Sequence, residues 1–189
     1  MQLNNKYYIL RHGEAISNVR NVISSWPETF ENPLTEKGKE QVAGSAEKLK
    51  NKNIDLIFAS DVLRAKQTAQ IVAQVLKLEI IFDARLRELD AGSFNGKTLT
   101  QWREYFEREE KSIDHSVPGG ETYHQVLARI QDFLNDTDKK YTGKNMLIVS
   151  HQCPLWILED VVKGFSLEVG LKKYPEDKRI GKGELRELN

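Results

Sequence analysis

The chain has 189 residues, 39% hydrophobic and 30% charged, with 28 Lys and Arg balanced by 28 Asp and Glu, and a single cysteine. That length predicts one domain over 1–189, and zero net charge with scattered signs leaves no basic face for nucleic acid or an anionic membrane. One cysteine closes no intrachain disulfide, so a reducing cytoplasm is the expected compartment, and no segment approaches the ~18 apolar residues of a membrane span.

Apolar runs alternate with amphipathic stretches and no repeat is visible, which predicts a three-layer α/β/α sandwich around a mainly parallel sheet. The first strand is expected at 6–10, where Tyr7 to Leu10 is too short to be a signal-peptide core. Arg20 to Pro33 interrupts the α/β rhythm and is expected to wall a substrate site. A helix after Leu34 has Thr35 as its cap and turns Val42, Ala46 and Leu49 inward. The second strand, at 54–59, leads into the best-defined helix, where Val62, Ala65, Ala69, Val72 and Leu76 recur at spacings of three and four and Ser60 is the expected cap. Strands at 79–82 and 145–149 complete a set whose nearly continuous apolar character suits buried parallel strands. Lys97 to Pro118, rich in aromatics and charges, is a second candidate wall. Behind Gly119-Gly120 a third helix buries Tyr123, Val126, Leu127, Ile130 and Leu134, and Trp156 is expected in the core. Residues 183–188 alternate weakly, consistent with a last edge strand.

The polar residues that fall directly after the predicted strands carry the chemistry. Arg11-His12-Gly13-Glu14 follows the first strand, Ser60 to Arg64 the second, and Ser150-His151 the fourth, while the third leads within six residues to Glu88. Ligands of open parallel sheets bind outside the carboxyl ends of the strands, so Arg11, His12, Arg64, Glu88 and His151 can converge. Two guanidiniums, two imidazoles and a carboxyl suit phosphoryl transfer. Arginines hold nonbridging oxygens, an imidazole attacks phosphorus in line, and a carboxylic acid protonates the departing oxygen. Gly13 would let backbone amides approach a phosphate, and Asn18 offers another donor.

These residues bring a family into view. Leu10-Arg11-His12-Gly13-Glu14 with Asn18, Leu34-Thr35-Glu36-Lys37-Gly38, Ser60 to Ala69, Glu88 and Ser150-His151, in that order, resemble the histidine phosphatase superfamily, also called phosphoglycerate-mutase-like, over about 7–156. The resemblance implies that His12 is the phosphorylated nucleophile, Arg11, Arg64 and His151 form the phosphate pocket, Asn18 adds a phosphate contact and Glu88 is the proton donor. It implies a small phosphorylated substrate. Gln152 stands where the family commonly has glycine, which makes it a candidate substrate contact. The short region beyond Gly164 leaves little chain to close over the site, which favours a phosphomonoester hydrolase over a mutase.

No cofactor or metal is expected. Four histidines and one cysteine form no paired metal-ligand spacing, and the positive charge comes from Arg11 and Arg64, with His151 adding to it if protonated. Cys153, beside Pro154 and an apolar helix, reads as a small packed residue rather than a thiol nucleophile. Asp90 is the fallback acid, and His115 and His124 read as solvated. The alternatives are a cofactor-primed phosphoglycerate mutase, a non-catalytic module that senses a phosphorylated ligand, and a nucleotide triphosphatase built on Ala91 to Thr98. That last segment lacks the first glycine of a P-loop and follows a charged run no buried strand would tolerate. Neither the oligomeric state nor the leaving group is set by these residues.

Overall fold

A computed structural model of the chain describes residues 3–108, 114–173 and 178–189, apart from the side chains of 107, 108 and 173. Its centre is a five-stranded sheet in the order β3-β2-β4-β1-β5. The strands are β1 (Lys6–Arg11), β2 (Leu56–Ala59), β3 (Ile80–Phe82), β4 (Asn145–Ser150) and β5 (Leu185–Glu187). All pair in parallel except β5, which lies antiparallel on the β1 edge, as the weak alternation predicted.

Strand side chains point alternately to opposite faces, and that sorts the core into two layers. Tyr7, Ile9, Phe58, Met146 and Ile148 pack on one face with residues of α5 (Tyr123–Lys140) and α6 (Gln152–Lys163). Tyr8, Leu10, Ile57, Ala59, Leu147 and Val149 pack on the other with α2 (Glu36–Leu49) and α3 (Leu63–Leu76). This is the three-layer arrangement predicted. Strand β3 departs from the expected burial: as the edge strand it leaves Ile81 38% and Phe82 44% exposed.

Caps settle where the helices begin. Thr35 accepts from the Gly38 amide at 3.0 Å at the start of α2. At α5, Thr122 and Gln125 form a reciprocal capping box. Ser60 is not the cap of α3, contrary to expectation: Val62 occupies that position without a side-chain cap, and Ser60 turns toward His151. Gly13 also has a different reason to be glycine. A Cβ there would collide with the Gly38 carbonyl, and one on Gly38 with the Glu14 carbonyl, so the turn after β1 rests backbone-to-backbone on α2.

The two interrupting segments join each other. Val22 bridges Thr98, and Ile23 donates to the Lys97 carbonyl at 2.8 Å. Ile23 packs with Phe94, Trp102, Tyr105 and Phe106 in a small separate cluster, with Trp102 and Phe106 on α4 (Leu99–Arg108). Residues 109–113 of the second segment lie outside the described residues. Residues 91–98 are turns, with Gly92 and Gly96 at positive φ and a 3₁₀ turn rather than a strand upstream at Ala84–Leu86, so the P-loop context is missing. Trp156 is core, as expected. His124 is exposed and pairs with Asp114 at 2.6 Å, whereas His115 is half-buried, edge-on to Phe106 and hydrogen-bonded to the Tyr105 hydroxyl at 3.2 Å, not solvated.

Candidate active site

Three neighbouring parallel strands, β2, β4 and β1, end at the same edge of the sheet, and their hydrogen-bond ladder continues one residue past each end. The His12 amide donates to the Ser150 carbonyl and the Ser60 amide to the Val149 carbonyl, each at 3.0 Å. His12, His151 and Ser60 are thereby held side by side. Over them lies a cavity of about 720 Å³ lined by Arg11, His12, Asn18, Arg64, Glu88 and Gln152 among others. His151 lies behind that lining, fully buried, its ring centroid 5.2 Å from that of His12.

Hydrogen bonds orient the His12 ring. Nδ1 is 2.8 Å from the Gly13 carbonyl, which can only accept, so Nδ1 carries the proton and Nε2 presents its lone pair. Arg64 Nε donates to Nε2 at 3.2 Å. Burial, then the Arg64 and Arg11 charges, hold the His12 pKa well below the usual imidazole value. In this neutral tautomer the unprotonated nitrogen is Nε2, whose lone pair accepts from Arg64.

Arg64 is buried and held at its far end by the adjoining segment. Its Nη1 meets Glu28 Oε1 at 3.1 Å and Ser24 Oγ at 3.4 Å, and its Nη2 donates to the Ser24 carbonyl at 3.0 Å. The Arg11 guanidinium is anchored on the Ile180 carbonyl at 3.0 Å. His151 Nε2 lies 2.8 Å from Ser60 Oγ, which also takes the Val62 amide at 3.4 Å. The other ring nitrogen, Nδ1, is a buried atom with no hydrogen-bond partner among the described residues. Burial, followed by Arg64 and His12, depresses the His151 pKa, which favours the neutral ring.

Glu88 reaches the cavity from the loop after β3 and is fixed by its own surroundings. Its Oε1 accepts from the Leu89 amide at 2.9 Å and from the Cys153 amide at 3.3 Å. Asp90, the fallback acid, is engaged with Ser25 and the Gly92 amide instead. The Cys153 thiol lines the cavity, so it is more than packing, but burial and then Glu88 push its pKa up, away from a reactive thiolate. Asn18 Oδ1 accepts from the Ala15 amide at 2.9 Å and closes the turn into α1 (Ile16–Arg20).

Several residues of the site and its surroundings carried no sequence signal. Ser24 and Glu28 reach Arg64 across 40 and 36 positions, and Arg103, Tyr123, Arg179 and Lys182 line the cavity from distant segments. Leu171, on α7 (Leu167–Lys173), joins Arg179 and Lys182 in walling the site from beyond Gly164. The C-terminal region, read from sequence as too short to close over the site, does contribute to its wall. Among the described residues no three His, Cys, Asp or Glu side chains cluster as a metal site, and no helix is long and apolar enough to cross a membrane.

The two depressed histidines make stability pH-dependent. In the unfolded chain each takes up a proton near pH 6.5, whereas in the folded chain each stays neutral, so stability present above that pH is lost as pH falls below it. The limiting slope is about 1.4 kcal/mol per pH unit for each histidine. Urea unfolding at pH 7, 6 and 5 should show this decline, and a His12→Gln/His151→Gln variant should show a flatter one.

A parallel sheet with two helical layers and paired histidines at its carboxyl edge defines an α/β protein of the histidine phosphatase type. The family model described as histidine phosphatase superfamily (branch 1) matches residues 7–172, and the chain belongs to that superfamily. It is 35% identical over 162 residues to the Enterobacter sp. (strain 638) protein named "Probable phosphoglycerate mutase GpmB", covering 83% of this chain and 74% of that one. A mycobacterial glucosyl-3-phosphoglycerate phosphatase, solved with VO3, shares the fold at a TM-score of 0.85 and 22% identity, covering 97% of this chain and 92% of that one. The phosphoglycerate mutase of Bacillus anthracis str. Sterne superposes with a TM-score of 0.75 at 25% identity, over 84% of this chain and 80% of that one.

Proposed function

We propose that the chain hydrolyses phosphomonoesters through a phosphohistidine on His12. The observation that carries this reading is the His12 ring itself, its Nδ1 proton held on the Gly13 carbonyl and its Nε2 lone pair facing Arg64 at the cavity floor. In the first step the Nε2 lone pair attacks phosphorus and the bond to the leaving oxygen breaks. A protonated Glu88 delivers its proton to that oxygen. In the second step the Glu88 carboxylate takes a proton from water, the water oxygen attacks phosphorus, the P–N bond breaks, and inorganic phosphate leaves with His12 restored. Arg11, Arg64 and His151 stabilise the nonbridging oxygens in both steps, with Asn18 and Gln152 contacting substrate.

Hydrolysis is favoured over isomerisation by the size of the site. A cavity of about 720 Å³ falls within the range of sites for drug-sized ligands and would leave most of its space to water around a three-carbon acid phosphate. Water is the second nucleophile, and a mutase must keep it out. The mutase reading is supported by the relatives' name and by Arg103, Arg179 and Lys182, cations that suit a second anionic group. One experiment separates the two. With 3-phosphoglycerate and a bisphosphoglycerate primer, formation of 2-phosphoglycerate should be slower than release of phosphate from a bulky aryl phosphomonoester, with EDTA leaving that release intact. Faster isomerisation would make the chain a mutase.

A further inference from the structure

Glu28 stands outside every motif and yet holds one of the buried charges of the site. Its side chain is 15% exposed and that of Arg64 3%. Oε1 takes Arg64 Nη1 at 3.1 Å, and Oε2 takes the Leu63 amide at 3.4 Å. The second contact explains how α3 starts without a side-chain cap, because the first amide of the helix is satisfied from 35 positions away. The first contact has consequences for the reaction. A guanidinium is planar, so fixing its Nη1 corner on Glu28 and its Nη2 on the Ser24 carbonyl fixes the direction of Nε–H, which points at His12 Nε2.

We infer that Glu28 is a positioning residue for the phosphoryl-transfer step, clamping the outer corner of Arg64 so that its Nε–H edge meets the phosphoryl oxygens beside His12. The inference rests on the assignment of His12 and Arg64 proposed above. The site needs such a clamp because no other acidic side chain among the described residues is hydrogen-bonded to Arg64, and a buried guanidinium with loose partners would sample several orientations. A carboxylate on the side away from the cavity orients the fork. Misplacing a transition-state donor by about 1 Å can cost up to 10²-fold in rate.

The test compares Glu28→Ala and Glu28→Gln in the full chain, with kcat, KM and the inhibition constants of vanadate and inorganic phosphate for each. Vanadate mimics the five-coordinate transition state and phosphate a ground state, so lost orientation should weaken vanadate far more. In Glu28→Ala we expect kcat to fall about 10- to 100-fold, the range for loss of a supporting contact, with vanadate weakened in proportion and phosphate changed less than about threefold. Glu28→Gln keeps one acceptor oxygen, which can serve Nη1, while its NH2 cannot accept from the Leu63 amide, so it should recover part of the rate lost in Glu28→Ala. An unchanged kcat in Glu28→Ala, or equal weakening of vanadate and phosphate, would overturn the inference. Should Glu28→Ala not fold, Arg64→Ala and Arg64→Ala/Glu28→Ala give the same answer: the double variant should match the single one, and a further tenfold loss would show that Glu28 does not act through Arg64. A normal rate in Arg64→Ala would instead sink the site assignment itself.

Discussion

His12→Ala is expected to abolish turnover, with a loss on the order of 10⁴–10⁶ in kcat, the scale seen when a covalent nucleophile is deleted from a site whose other groups remain. The wild-type chain, quenched after brief mixing with substrate, should carry a phosphate that is lost in acid and survives base, as a P–N bond requires. Peptide mapping should place it on His12. A label on Cys153 or on a serine would refute the mechanism, and the raised Cys153 pKa already argues against the thiol. His12→Gln is an informative companion. It restores a polar side chain at the same place without a nucleophilic lone pair, so it should be as inactive as alanine while retaining fold and phosphate affinity.

Arg64→Ala should lower kcat on the order of 10²–10³, as removal of one preorganised donor from a charged transition state does. It should also destabilise the fold. Glu28 would be left as a largely buried carboxylate without its cation, and breaking such a pair costs about 3–5 kcal/mol. The two effects separate experimentally. Arg64→Lys keeps a positive charge near Glu28 and should recover much of the stability, measured by urea unfolding. A single ammonium cannot serve Glu28, the Ser24 carbonyl and a phosphoryl oxygen together, so the rate should stay low. Near-normal turnover in both variants would show that the phosphoryl group binds elsewhere.

The same pair of residues marks how far a sequence can be read. Arg64 was legible because it sits four residues after Ser60 at a strand-to-helix turn, where an arginine makes sense facing an anion. Glu28 was not, because Trp26 to Thr29 has no periodicity and its partner is 36 positions away. Ser60 was read by its local habit as a cap, and the histidine that ends β4 drew its hydroxyl away. Gly13 was read for its chemistry, and the close approach of α2 supplied a steric reason instead. Beyond Gly164 no residue was singled out from the sequence, yet Leu171, Arg179 and Lys182 line the cavity.

By itself the sequence determined the α/β class, the positions of the strands and of α2, α3, α5 and α6, the superfamily and the residues that follow β1, β2 and β4. These depend on hydrophobic period, turn chemistry and short motifs, all of which act over a few neighbouring residues. Only the tertiary structure decided which nitrogen of His12 carries the proton, what holds Arg64, that His151 lies buried behind the cavity lining, and which distant cations wall the cavity. Those properties arise from burial and from contacts between segments far apart in the chain. A proton's place on a ring or a guanidinium's orientation is set by the atoms packed around it, and no local pattern encodes them.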